Sequence, residues 1–266
     1  MYDSGVSVRG IAAVLGLVVA GGCERASHEP DPVTLPVPDV KVILVDAGAM
    51  PRAALRFHPR AGETVISRYT RRTDIDRGSR HDVRVLTEKY DVVAVEVRPG
   101  SIHTRGMVGD AAIEPPLRTF DAGELIGTVQ ERWYDPRGVH LRPTLIRNDR
   151  RDPATFVSRP ELLGVLPEQA VGVGARWHED IAYGASSASV DIQLVERDGD
   201  RVRERLDYKA EHHSAREWVT VSGTTTLDLD LGSVDATYHG ENALVLHHPR
   251  GDENGTETID VVRVVR

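Results

Sequence analysis

From Val40 onward, apolar residues recur at every second position far more often than at helical spacing, so the pattern predicts strands. Val40 to Val45 is a short β-branched run, Ala54 to Phe57 reads as a second strand, and Glu63 to Arg71 alternates well enough for a third. Thr73 to Ser79 reads as a polar loop. Val83 and Val85 alternate with charged residues, and Tyr90 to Val97 is again strand-like. Ser101 to Thr119 contains Gly and Pro without a period, which predicts a loop. Gly123 to Tyr134 and Val139 to Ile146 flank Asp135-Pro136-Arg137-Gly138, whose Asp, Pro and Gly stand where a type I turn wants them, so a hairpin is expected.

The second half is more regular. Ser189 to Glu196 sets Val190, Ile192 and Leu194 on one face, and Asp198-Gly199 is a strong hairpin signal before Val202 to Tyr208. Leu227, Leu229 and Leu231 alternate with Asp228 and Asp230; Ala243 to Leu246 and Ile259 to Val265 complete the set. Ser158 to Gly164 has a capping Ser, a first-turn Pro and a terminal Gly, which predicts one short helix. The expected fold is mainly β: an antiparallel sheet, half-barrel or sandwich-like, with one solvated face and at most one or two short helices. It forms a single body over 40–266, with two halves divided near 147–153, the most polar stretch.

Before that body the chain changes character. Ile11 to Ala20 carries no polar side chain but is too short to cross a bilayer, which takes about 20 residues. Following Arg9 and preceding the small residues Ala20-Gly21-Gly22, it reads as a signal peptide over 1–22. Residues 23–39 carry Pro30, Pro32, Pro36 and Pro38, a composition that favours an extended polyproline tether about 50 Å long. The net charge is −8, and lysine occurs only at Lys41, Lys89 and Lys209. That balance lacks the clustered basic face that nucleic acid requires, and gives little attraction to an anionic membrane surface. With Cys23 as the single cysteine, no intramolecular disulfide can form.

Ala20-Gly21-Gly22-Cys23 resembles the lipobox of bacterial lipoprotein precursors, with Ala20 standing where that family usually has Leu. The resemblance implies a diacylglyceryl group on the Cys23 thiol, cleavage before it, and attachment to a membrane of the bacterial envelope, on its periplasmic or extracellular face. Two acyl chains hold stably where one gives only marginal binding. Val171-Gly172-Val173-Gly174-Ala175-Arg176-Trp177 resembles a phrase of uncharacterised, β-rich envelope lipoproteins. A one-sided sheet behind a lipid anchor is also similar in architecture to half-barrel carriers of lipids or lipoproteins, though fold alone does not fix function.

Candidate chemistry is sparse. On a strand, Trp177 and Glu179 share one face while His178 and Asp180 share the other, about 6.5 Å apart. Trp177 is expected in the core; the alternative is a ligand site built from Trp177, His178 and Asp180. His212-His213 and His247-His248 cannot each chelate one ion from an unbroken strand, since neighbours point to opposite faces. No metal and no cofactor are therefore expected. Ser186-Ser187 follows Gly184 in a turn, Asp228 and Asp230 read as a solvated face, and the nucleophile and phosphate-loop signatures are missing. The expected function is a non-enzymatic, membrane-anchored lipoprotein binding a hydrophobic ligand or a partner protein through its sheet. The rivals are a structural or assembly lipoprotein with a filled core, and a hydrolase with an unrecognised site.

Overall fold

The computed structural model describes residues 32–76, 81–116, 121–148, 164–213, 218–234, 236–247 and 251–264. Thirteen strands follow in chain order. The first seven are β1 (Val33–Leu35), β2 (Asp39–Asp46), β3 (Thr64–Asp76), β4 (His81–Arg98), β5 (Ser101–Glu114), β6 (Val129–Tyr134) and β7 (Thr144–Arg147). Then come β8 (Arg176–Tyr183), β9 (Ser186–Asp198), β10 (Arg201–His213), β11 (Trp218–Asp230), β12 (Ala236–His247) and β13 (Glu253–Arg263). All join one sheet in the order β1-β7-β6-β5-β4-β3-β13-β12-β11-β10-β9-β8-β2. Every pairing in it is antiparallel. The mainly β, antiparallel expectation is met; among the described residues the one helical element is a 3-10 turn at Ala122–Leu125.

Two meanders, β3 to β7 and β8 to β13, meet where β13 pairs with β3. The far edges of the sheet are β1 and β2, yet only Pro36, Val37 and Pro38 separate those strands in the chain. Four extended steps from Leu35 to Asp39 reach at most about 14 Å. Laid flat, twelve strand spacings would set the edges about 58 Å apart. The sheet therefore curls on itself until its edges nearly meet, and its two faces become an inside and an outside.

The period-2 pattern assigns residues to those faces. Along β10, Val202, Glu204, Leu206 and Tyr208 are buried while Arg203, Arg205, Asp207 and Lys209 are exposed. An outer face charged at successive positions is one that water, not lipid hydrocarbon, solvates. The core lies inside β8 to β11, where Trp177, Ile192, Leu194, Leu206, Leu227 and Leu229 pack together. Two irregular segments cover that face. Leu55 from one and Leu166 and Val171 from the other are fully buried against it, and Ala53 and Val171 bridge the segments.

Several strand expectations match: Val40 to Val45 lies in β2, all but Glu63 of Glu63 to Arg71 in β3, Tyr90 to Val97 in β4 and Ser189 to Glu196 in β9. The Asp198-Gly199 hairpin joins β9 to β10 with Gly199 at φ 59, the left-handed conformation that glycine takes at low cost. At the other predicted hairpin, the Asp135 side chain accepts from the Arg137 and Val139 amides at 2.8 and 3.0 Å, but the flanking strands are shorter than expected, β6 starting at Val129 and β7 at Thr144.

Four expectations are corrected. Most of Ser101 to Thr119 is strand β5, whose inward positions are Ile102, Thr104, Gly106 and Val108, an apolar row interrupted by a threonine and a glycine. Thr73 to Asp76 continues β3, because Thr73 faces Arg84 and Glu257 inside the sheet. Ala54 to Phe57 is irregular and plugs the interior instead of pairing as a strand. Val33–Leu35, within the expected tether, pairs with β7. The predicted helix at 158–164 lies, except for Gly164, outside the described residues.

Leu229→Ala should destabilise the fold by about 2–5 kcal/mol, through lost burial and a residual cavity. Asp228 is exposed and holds Arg203 at 2.7 Å, so Asp228→Ala should cost only about 0.2–1 kcal/mol. Urea midpoints of the two variants check this, and equal shifts would place Leu229 outside the core.

Candidate functional site: an outer trough beside a filled interior

Strand β8 carries the residues singled out from sequence and divides them between the two faces. Inward, Trp177 is 1% exposed, and its indole Nε1 donates to Glu179 Oε1 at 3.3 Å. Glu179 and Glu204 are both 0% exposed. Their carboxyl oxygens lie 3.6 and 3.9 Å from the point a Cβ on Gly164 would occupy, so the two groups share one spot beneath the covering segment. Burial pushes each carboxyl up to about 8, and for Glu204 the neighbouring Glu179 charge adds to it. Near pH 7 both are therefore mostly neutral acids, which greatly lowers the cost of keeping them out of water.

A second polar group crosses the same inner face. Tyr208 on β10 donates to Asn242 Oδ1 at 2.7 Å, and Asn242 Nδ2 donates to Glu257 Oε1 at 3.1 Å. Glu257 in turn pairs with Arg71 on β3. Tyr208 reaches β12 across β11 because Gly223 stands between them, and a Cβ there would collide with the Asn242 side chain. Burial, then the nearby Glu257 charge, pushes the Tyr208 hydroxyl up to about 12. For Arg71, burial opposes the charge, but Glu257 outweighs it and the guanidinium stays protonated. These chains bind strand to strand inside the curl.

Outward, His178 and Asp180 meet, as the alternation predicts. His178 Nδ1 lies 2.8 Å from Asp191 Oδ1 on β9, and His178 Nε2 lies 3.1 Å from Asp180 Oδ1. The hydrogen bond to Asp191 raises the imidazole pKa; partial burial opposes it, and Asp180 adds to it. With a carboxylate at each ring nitrogen, the doubly protonated cation is the favoured form.

Asp180 also lines a trough of about 550 Å³ on the outer face of β2, β8, β9 and β10. Strand registry builds it in rows. Asp39, Ala182, Ser187 and Glu211 lie opposite one another across the four strands, and two residues along so do Lys41, Asp180, Ser189 and Lys209. Small side chains on β8 and β9 leave the floor low, and the longer ones on β2 and β10 stand as walls. A third row sets His178, Asp191 and Asp207 beside the trough. Such a surface can hold a polar, charged chain by ion pairs and serine hydroxyls.

The remaining candidates do not converge. His212 turns to Ser186 Oγ at 2.8 Å, while His213 stacks on Trp218 and Trp218 on His247, with centroids 5.1 and 4.0 Å apart. His248 and Cys23 lie outside the described residues. Among the described residues, no group of three His, Cys, Asp or Glu side chains is placed to hold a metal ion. Sequence reasoning missed Asp39, Lys41, Ser187, Ser189, Lys209 and Glu211. Only the strand registry could have found them, and a bulge on β9 hides it. No known protein family, curated protein or solved structure matches this chain.

A carboxyl whose pKa is raised in the folded state contributes stability that is fully present below its unfolded value and lost as pH rises through the folded one. Thermal midpoints should therefore fall steadily from about pH 5 to pH 8. Glu204→Gln should flatten that decline and raise the midpoint at pH 8. A variant no more stable than wild type at pH 8 would show that Glu204 is ionised and paired.

Proposed function

We propose that the chain is a non-enzymatic lipoprotein of the bacterial envelope, held to a membrane through acylated Cys23, whose β body binds a partner protein at the outer trough. The observation that carries this reading is the division of the two faces. Inside β8 to β11, the chain's own Leu55, Leu166 and Val171 fill the apolar face against which a hydrophobic ligand would otherwise lie. Outside, the trough gathers unlike charges and hydroxyls on a concave, water-facing surface, the kind of complementarity that steers and orients protein partners. The lipobox-like Ala20 to Cys23 supports the anchor, since two acyl chains give stable membrane attachment without any apolar surface on the barrel.

Cys23→Ser should move the protein from the membrane to the soluble fraction, because the serine hydroxyl does not replace the thiol as acyl acceptor. A photo-cross-linker at Ser189 should then give one discrete adduct in cells, absent with the same group at Thr226 on the outer face of β11. Equal fractionation of wild type and Cys23→Ser would overturn the anchor, and indistinguishable adduct patterns at Ser189 and Thr226 would overturn the binding surface.

A further inference from the structure

We infer that the trough takes an extended segment of the partner whose same-face side chains read basic, acidic, basic. The inference rests on the partner-binding reading of this surface and specifies its chemistry. Its basis is the order of charge along the four strands. The first row ends in a carboxylate on each wall, Asp39 and Glu211, and the second in an ammonium on each wall, Lys41 and Lys209. The third sets the apolar Ile43 on the β2 wall and His178 on β8, then brings Asp191 and Asp207 side by side on β9 and β10, so its acids lie on the β10 side. Acid, base and acid thus alternate at two-residue intervals, about 6.6 Å apiece. An extended peptide presents the side chains of one face at that same interval, so residues i, i+2 and i+4 meet the three rows in step.

The local pairings leave this pattern in place. Asp180, the acid of the second row, is engaged by His178 at 3.1 Å, which reduces its opposition to the two lysines. In the third row His178 holds Asp191 at 2.8 Å, while Asp207 accepts from Thr224 at 2.6 Å and pairs with Arg205 at 3.3 Å; in each acid these contacts fall on Oδ1. Lys209 touches Glu211 at 3.0 Å, joining the first two rows on the β10 wall. On the β2 wall, Asp39 and Lys41 make no ion pair among the described residues, so both charges face outward unmet. Ser187 and Ser189 on the floor offer hydroxyls to the main chain of a bound segment. The trough is too shallow to enclose most of a small molecule, as ligand pockets do, whereas a chain lying along it needs no enclosure.

The test uses the full-length chain in a neutral detergent and two fluorescent peptides of equal composition and net charge, acetyl-Thr-Arg-Thr-Glu-Thr-Arg-Thr-amide and its isomer acetyl-Thr-Arg-Thr-Arg-Thr-Glu-Thr-amide. Anisotropy titration at low salt should show the first binding about tenfold more tightly than the second, the sum of several individually weak exposed pairs. Raising salt should erase the preference as screening shortens the reach of each charge. The double substitution Lys41→Glu and Lys209→Glu should abolish it, because three acidic rows no longer distinguish the order of the peptide's charges. Equal binding of the two peptides, or a preference indifferent to that double substitution, would overturn the inference. If neither peptide binds while the Ser189 adduct persists in cells, the charge pattern is refuted and the partner reading stands; loss of the adduct refutes that reading itself.

Discussion

Pro36, Val37 and Pro38 span the distance between the two outermost strands of a thirteen-stranded sheet. A link of that length cannot cross a flat sheet of this width. Curling follows, and from curling follows the sharp difference between the faces. Prolines suit the crossing because they have no amide hydrogen to leave unpaired where the ladder is interrupted. An edge strand left open would be a template for unwanted pairing. Here one edge strand is only three residues long, and the other carries Asp39 and Lys41 and ends in a register shift near Asp46.

Enclosure raises a second problem. A curl of thirteen strands is too wide for the side chains of its own wall to fill, since even eight leave only enough room for side chains. The chain answers by turning its irregular segments inward, so that Leu55, Leu166 and Val171 complete a core that the strands only half build. Elsewhere the buried positions mix apolar residues such as Ile102, Val108, Ile146 and Leu244 with polar groups, of which one chain is joined across the strands: Tyr208 to Asn242, Asn242 to Glu257, Glu257 to Arg71. Glu88 on β4, whose carboxyl burial pushes up to about 8, stands apart from that chain, and so do Glu179 and Glu204. The last two sit against the covering segment as neutral acids, which ties the closure of the interior to proton concentration.

What the sequence made legible was local and one-sided. Strands such as β10 and β11 alternate cleanly, and the shared face of His178 and Asp180 follows from period two alone. Strand β5 was hidden because Thr104 and Gly106 interrupt its inward row between Ile102 and Val108, which leaves too short an apolar alternation to read. The trough was hidden by a bulge. Counting back from the Asp198-Gly199 turn sets Lys209 opposite Val190, whereas the extra residue near Val195 sets it opposite Ser189 and brings the outer rows into line. Closure was beyond reach from sequence, because β13 with β3 and β7 with β1 are long-range pairings with no local signature.

The closure itself is the claim on which both the filled interior and the outward trough depend. Pulsed electron spin resonance between labels at Lys41 and Leu145, outward positions near opposite edges of the sheet, tests it directly in a Cys23→Ser background. Pairing of Thr34 with Leu145, followed by the short link to Asp39, requires a backbone separation of no more than about 30 Å. A distribution centred there or below is the expected result. One centred near 50 Å, about eleven strand spacings, would mean that the sheet lies open and that its two faces are not inside and outside.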